Sequence, residues 1–176
     1  MPKSERGCRF APVRLAHLAD LHLGYRQFYR QTPAGINQRE ADVARAFVRA
    51  IDGVIAERPD VVVVAGDLFH SVRPTNQAIV HCFRQFQRLK DALPAARIVI
   101  VAGNHDTPRA TETGSILRLF GELGIEVAID EPIRLVYPDL DLAILAVPHA
   151  AVVGPERPPL RAEGSERHQV LVIHGE

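Results

Sequence analysis

The sequence contains no tryptophan, a single methionine and only two cysteines in 176 residues. Cys8 and Cys82 are far apart and form no metal-binding spacing, so we expect free thiols in a reducing compartment. No apolar run approaches the length of a membrane span, and the N-terminal segment lacks the apolar core of a signal peptide. Basic and acidic residues each number 21, which excludes an overall basic field for polyanions. We expect a cytoplasmic protein.

The apolar residues form patterns that alternate between strand and helix. With 47% hydrophobic residues, the chain is long enough for one domain with a buried core. Helix periodicity appears over 37–58, with Asn37 as the N-cap, over 75–92, and over 116–123. The predicted strands cover 13–19, 61–65, 97–102, 126–128, 133–136, 142–147 and 170–173, and a long loop covers 148–169. This order predicts a layered α/β fold, parallel in its first half.

Metal-ligating side chains follow four of the predicted strands. They are Asp20 and His22 after the first strand, Asp67 after the second, Asn104, His105 and Asp106 after the third, and His174 after the last. Functional groups of open α/β sheets collect beyond the carboxyl ends of the strands. Carboxylate, imidazole and amide ligands together suit Mn, Fe or Zn better than an all-oxygen calcium site.

Each of these residues also has an ordinary structural interpretation. Asp67 can serve as a turn aspartate and Asn104 as a cap, and a single histidine is more often hydrogen-bonded than metal-bound. The repetition of the pattern at four strand ends favours the metal site, because no packing rule requires it.

Four segments carry a family resemblance. "DLHLG", "GDLFH", "GNHD" and the strand-terminal "HG" resemble the first four signature motifs of the calcineurin-like metallophosphoesterases. "GDLFH" and "GNHDTPR" resemble in particular the SbcD-like DNA-repair nucleases, which partner an SMC-like ATPase. The resemblance implies an α/β/β/α fold of two packed mixed sheets flanked by helices. It extends from about residue 13 to the end of the chain and leaves residues 1–12 as an N-terminal extension.

The resemblance also implies a site for two divalent ions, with manganese expected and iron, zinc or magnesium as alternatives. Asp20 and His22 would hold the first ion, Asp67 would bridge both, and Asn104 and His174 would hold the second.

Three further residues have implied catalytic roles. His105 corresponds to the catalytic histidine of the family, and Asp106 would fix its tautomer. His70 of "GDLFH" would assist near the substrate phosphate.

The fifth family motif, Gly-His-x-His, is absent from this sequence. We therefore expect a piece of a longer protein whose second sheet is incomplete at the C-terminus, and the activity of this piece stays open. The remaining histidines are expected to pack or cap locally or to lie in loops; they are His17, His81, His149 and His168.

Basic residues near the motifs are candidates for holding a nucleic acid. Arg73 and Arg109 follow the second and third motifs, and Arg26 and Tyr29 lie in the loop after the first. The leading hypothesis is a DNA exonuclease and endonuclease of double-strand-break repair that acts on DNA ends with an SMC-like ATPase. Residues 75–92 are the candidate surface for a homodimer. The alternatives are a small-substrate phosphoesterase of the same fold and a non-catalytic interaction module.

Overall fold

The computed structural model describes residues 12–108 and 114–175. The expected N-terminal extension, except for Pro12, lies outside the described residues, as do Cys8 and Arg109.

The first sheet is parallel and contains four strands in the order in which they occur along the chain. They are β1 (Leu15–Leu18), β2 (Val61–Ala65), β3 (Arg97–Val101) and β4 (Glu126–Ala128). All five residues of β2 are buried, because this strand lies between two neighbours and is covered on both faces. An uninterrupted run of valines suits such a strand.

Two long helices cover one face of this sheet. They are α1 (Gln38–Glu57) and α2 (Asn76–Ala92). The Asn37 side chain caps α1 by accepting from the backbone N–H groups of Arg39 and Glu40, which confirms the predicted N-cap. Thr75 caps α2 in the same way. Phe47 and Ile51 of α1 and Phe86 of α2 pack in one core with the strands below them.

The second sheet contains β5 (Ile133–Tyr137), β6 (Leu142–Val147) and β7 (His168–Ile173). It is mixed, since β5 runs antiparallel to β6 whereas β7 runs parallel to it. The two sheets share a second core, in which Val63 and Val101 of the first sheet meet Ile144 and Val172 of the second. Val136, Leu171 and Ile173 of the second sheet keep large exposed areas.

The predicted layered α/β class is therefore confirmed, with several local differences. The first sheet is parallel throughout rather than mixed, and residues Ile116–Leu123 form a 3-10 helix. The predicted loop contains a short helix, α3 (His149–Val153), and β7 begins two residues earlier than expected. Among the described residues, no helix combines the length and apolar character needed to cross a membrane.

Candidate metal centre

The carboxyl ends of β1, β2, β3 and β7 meet at one open cleft. Parallel pairing brings the ends of β1, β2 and β3 to the same edge, and β7 delivers its own end from the second sheet. The predicted residues that line the cleft are Asp20, His22, Asp67, His105 and His174. Asn104 joins them through a 3.1 Å contact between its Oδ1 and Nε2 of His174.

Asp20, His22 and Asp67 form the first group of candidate ligands. Each offers one ligand atom, and these atoms lie within 4.8 Å of one another. Nε2 of His22 is 3.7 Å from Oδ2 of Asp67. Backbone hydrogen bonds hold the two loops together: the His22 N–H donates to the Asp67 carbonyl at 2.9 Å, and the Asp20 N–H donates to the Gly66 carbonyl at 3.2 Å. The main chain therefore fixes the spacing of these side chains.

His174 completes a second group with Asp67 and Asn104. Nδ1 of His174 lies 2.9 Å from the Ala65 carbonyl, which can only accept, so Nδ1 carries the proton and donates. In the neutral ring Nε2 is then an acceptor, and it faces Oδ1 of Asn104 at 3.1 Å and Oδ1 of Asp67 at 3.6 Å. The repulsion between these three acceptor atoms is removed by a proton on Nε2 or by a metal ion bound between them. This donor set fits a divalent ion.

Two glycines make room for these side chains. A Cβ atom on Gly66 would lie 2.0 Å from Nδ1 of His174, and one on Gly103 would lie 2.1 Å from Oδ1 of Asp67. Gly66 also has a φ of +83°, which side chains rarely adopt. Both ligand positions therefore require glycine beside them.

Three candidate ligands have left-handed backbone conformations. The φ angles are 54° for Asp20, 45° for His22 and 52° for Asp67. Non-glycine residues in this region carry an unfavourable conformational free energy of about 1–2 kcal/mol each. Such strained residues cluster at functional sites, where the surrounding structure holds them in place.

Three histidine rings lie side by side at one end of the cleft. The His105 ring centroid is 5.0 Å from those of both His22 and His70, and the rings of His70 and His22 are 5.3 Å apart. Burial, and then the neighbouring His105 and His22, lower the pKa of His70. His70 is therefore mainly neutral at pH 7.

The expected role of Asp106 is wrong. Its Oδ2 accepts from the backbone N–H groups of Leu68 and Gly103 at 3.0 and 3.2 Å, and its Oδ1 accepts from that of Phe69 at 3.0 Å. The carboxylate thus accepts hydrogen bonds from the main chain of two loops, and it does not orient His105. Nδ1 of His105 instead lies 2.8 Å from the His70 carbonyl, so this carbonyl fixes the tautomer and leaves Nε2 toward the cleft.

One residue of the cleft was not predicted. His17 is exposed and lines the cleft beside Asp20, although it was expected to pack or cap locally. The sequence carries no signal for this position, because the strand order that makes β1 an edge strand is known only from the structure. His81 does pack locally, with Nε2 3.3 Å from the Ala44 carbonyl. The other two histidines lie at the starts of α3 and β7.

Among the described residues, no predicted substrate-binding residue lines the cleft. Arg73 is exposed in the segment between His70 and α2. Nε of Arg26 donates to the buried Glu40 carboxylate at 2.7 Å, so this arginine also anchors its own loop. Tyr29 is fully exposed.

Comparison with known proteins identifies the family to which this chain is similar. Residues 13–176 match the family described as calcineurin-like phosphoesterase. The chain is 35% identical over 127 residues to a "DNA double-strand break repair protein Mre11" of Sulfolobus acidocaldarius, covering 70% of this chain and 31% of that protein. It is 29% identical over 168 residues to the Sulfurisphaera tokodaii protein of the same name, covering 92% of this chain and 40% of that protein.

A third relative of the same name, from Methanococcus maripaludis, is 37% identical over 103 residues, covering 58% of this chain and 25% of that protein. The chain therefore spans between a quarter and two fifths of the length of these relatives.

Proposed function

The chain belongs to the calcineurin-like phosphoesterase family, and from this premise we propose that it is a metal-dependent phosphodiesterase that cleaves DNA ends in double-strand-break repair. The observation that carries the proposal is the contact of His174 Nε2 with the oxygens of Asn104 and Asp67. The printed names of the archaeal relatives support DNA as the substrate.

The proposed cofactor is a pair of divalent ions, with manganese as the first candidate and iron, zinc or magnesium as alternatives. Asp20 and His22 would hold one ion, Asp67 would bridge, and Asn104 and His174 would hold the other. When bound, such ions neutralise the phosphate and activate water as a nucleophile. The neutral Asn104 leaves the site with less negative charge than a third carboxylate would, which favours an anionic substrate.

His105 is the proposed general acid near the leaving oxygen. The support is the hydrogen bond that Nδ1 of His105 donates to the His70 carbonyl, because Nε2 of His105 then faces the cleft. A protonated His105 can donate from Nε2 to an oxygen of the substrate. His70 is proposed to assist beside it, since its ring stacks on that of His105.

The wider proposal includes an SMC-like ATPase as a partner and a homodimer formed through α2. It also includes Arg73 and Arg109 as phosphate-binding residues. The support is the position of both arginines a few residues beyond proposed ligands, where a positive charge attracts phosphate.

The test combines metal binding with two substrates. Manganese binding to the metal-stripped chain is measured by titration calorimetry, and hydrolysis is followed on a chromogenic phosphodiester and on 3′-labelled DNA. We expect Asp67→Asn to abolish binding and hydrolysis of both substrates. Glu122→Gln, which changes an exposed carboxylate on the 3-10 helix, serves as the matched control and is expected to preserve both.

The outcomes separate the hypotheses. Cleavage of the chromogenic diester without cleavage of DNA would favour a small-substrate phosphoesterase. Manganese binding that survives Asp67→Asn would contradict the proposed site.

A further inference from the structure

The loop between β1 and α1 presents two adjacent aromatic side chains to solvent. Phe28 is 76% exposed and Tyr29 is 102% exposed. Exposure of a large aromatic side chain forgoes about 1.5–3 kcal/mol of burial free energy. A pair of neighbouring exposed rings therefore indicates a surface that is covered when a ligand binds. We call residues 24–37 the aromatic loop.

The aromatic loop is held firmly in this conformation. Nδ2 of Asn37 donates to the Phe28 carbonyl at 2.8 Å, while Oδ1 of the same residue caps α1. The Gln38 N–H donates to the Arg30 carbonyl at 2.9 Å. Phe28 itself has a φ of 61°, an unfavourable angle for an aromatic residue. These bonds keep the two rings in place and reduce the conformational entropy lost on binding.

A cleft of about 270 Å³ opens in the aromatic loop beside these rings. At about 30 Å³ per water molecule it holds roughly nine waters, which is room for one planar base. Its wall combines aromatic faces, an arginine and side-chain amides, contributed by Arg26, Phe28, Tyr29, Gln31, Asn37 and Gln77. Aromatic faces stack on nucleobases, and the amides of Gln31 and Gln77 can hydrogen-bond to base edges, whereas the amide of Asn37 is already bonded to the Phe28 carbonyl and the α1 cap.

The charge of the aromatic loop suits a polyanion. Residues 24–37 contain Arg26 and Arg30 and no acidic residue. Within the described part of the chain, the terminal guanidinium nitrogens of Arg26 make no protein hydrogen bond, although its Nε is bonded to Glu40. Arg30 is exposed and can contact a phosphate, and the terminal nitrogens of Arg26 can do the same, although Glu40 offsets part of its charge.

The aromatic loop begins beside the candidate metal centre. The ring of Tyr25 lies 4.5 Å from that of His70, which stacks on His105. The Cα atoms of Tyr25 and Phe28 are separated by at most about 11 Å along an extended chain, so one single strand can reach both the metal centre and the two exposed rings.

From these observations we propose that the cleft in the aromatic loop is a nucleobase-binding site. It stacks one unpaired base of a single-stranded DNA end on Phe28 and Tyr29, on the same strand whose phosphate enters the metal centre. The inference rests on the proposed function, because it assumes that a DNA strand enters the metal centre. Stacking is tolerant of base identity, so the site selects unpaired over paired DNA and reads little sequence.

The test measures base stacking without catalysis. Single-stranded oligonucleotides carry 2-aminopurine at one of a series of successive positions counted from the 3′ end, and binding to the full 176-residue chain is followed in EDTA by fluorescence quenching. An oligonucleotide with an abasic residue at the same position is the ligand control. Leu160→Ala, which removes a half-exposed apolar side chain elsewhere, is the protein control.

We expect quenching at one position of the series and binding of the abasic ligand that is about 5- to 150-fold weaker, the range for one stacked base. Phe28→Ala and Tyr29→Ala should each weaken binding of the base-containing ligand without changing its salt dependence, because they remove no phosphate contact. Arg30→Gln should lower the slope of that salt dependence by about one phosphate contact.

The failures of the two proposals can be told apart. Equal affinity for the base-containing and abasic ligands, or unchanged binding by the two alanine variants, would overturn the base site even if DNA is hydrolysed with manganese. Quenching that both variants abolish, in a chain that hydrolyses no phosphodiester, would support the base site and contradict the proposed function.

Discussion

Replacing Asp106 by alanine should destabilise the fold by at least about 3 kcal/mol. The carboxylate is 1% exposed and accepts from three backbone N–H groups, those of Leu68, Phe69 and Gly103. Each buried donor left without an acceptor lowers the free energy of unfolding by about 1–3 kcal/mol. Because Asp106 joins the loops after β2 and β3, the loss should also loosen the candidate metal centre.

Asp106→Asn gives an intermediate result that tests the geometry. An amide oxygen in the place of Oδ2 keeps the bonds from Leu68 and Gly103, whereas the amide nitrogen faces the Phe69 N–H and cannot accept from it. Because the Phe69 N–H is then left without an acceptor, the free energy of unfolding should fall by about 1–3 kcal/mol. The order of stability should therefore be wild type, then Asp106→Asn, then Asp106→Ala.

The assay is urea denaturation followed by far-ultraviolet circular dichroism, since the chain has no tryptophan for fluorescence. Asp130→Ala is the matched control, because Asp130 is an exposed carboxylate that pairs with Arg118 at 2.9 Å. An exposed pair contributes at most about 1 kcal/mol. If Asp106→Ala lost no more stability than Asp130→Ala, the assignment of three backbone bonds to Asp106 would be refuted.

The pH dependence of the same variants gives an independent check. Burial raises the pKa of Asp106 above its ordinary value, against the opposing effect of its backbone hydrogen bonds. The folded chain then keeps this proton at a pH where the unfolded chain has released it. The wild type should therefore lose stability relative to Asp106→Asn as the pH rises from about 4 through the raised pKa. If the free energy of unfolding of the wild type instead rose relative to that of Asp106→Asn over this pH range, the direction of the pKa shift would be contradicted.

Three further predictions concern single sites. Gly66→Ala should abolish one manganese site in calorimetry, because its Cβ would lie 2.0 Å from Nδ1 of His174, whereas Gly53→Ala, in open space on α1, should bind manganese normally. Burial raises the pKa of Tyr137 to about 12, so stability should fall between about pH 10 and 12. Tyr137→Phe should remove this fall and the phase of the tyrosine absorbance titration near pH 12. Cys82 is fully buried and its pKa is raised well above the ordinary value, so a thiol reagent should modify it only after denaturation, and rapid labelling of the native chain at this position would contradict the packing.

Residues with a local signal could be predicted from the sequence. The valine run of β2 and the cap at Asn37 depend on neighbours in the chain, and both have the predicted structure. The convergence of the strand-terminal side chains was predictable as well, because parallel strands bring their carboxyl ends to one edge.

Residues whose partners come from distant segments could not be predicted in the same way. The role of Asp106 depends on N–H groups 37 and 38 residues earlier in the chain, and no spacing rule distinguishes these donors from the adjacent His105. His17 lines the cleft because β1 is an edge strand, which is known only once the strand order is known. The exposure of Phe28 likewise follows from the path of its loop.

The left-handed backbone at positions 20 and 22 opposes stability to activity. Glycine adopts such φ angles without the steric penalty of a side chain, so glycine at either position should make the fold more stable while removing a proposed ligand. At position 67 the same gain is offset, because Oδ1 of Asp67 accepts from the His105 N–H at 3.0 Å. A randomised library of this chain that is selected only for thermal resistance should therefore enrich glycine at positions 20 and 22. The same library selected for phosphodiester cleavage should retain aspartate and histidine there, and its survivors should unfold at lower temperatures.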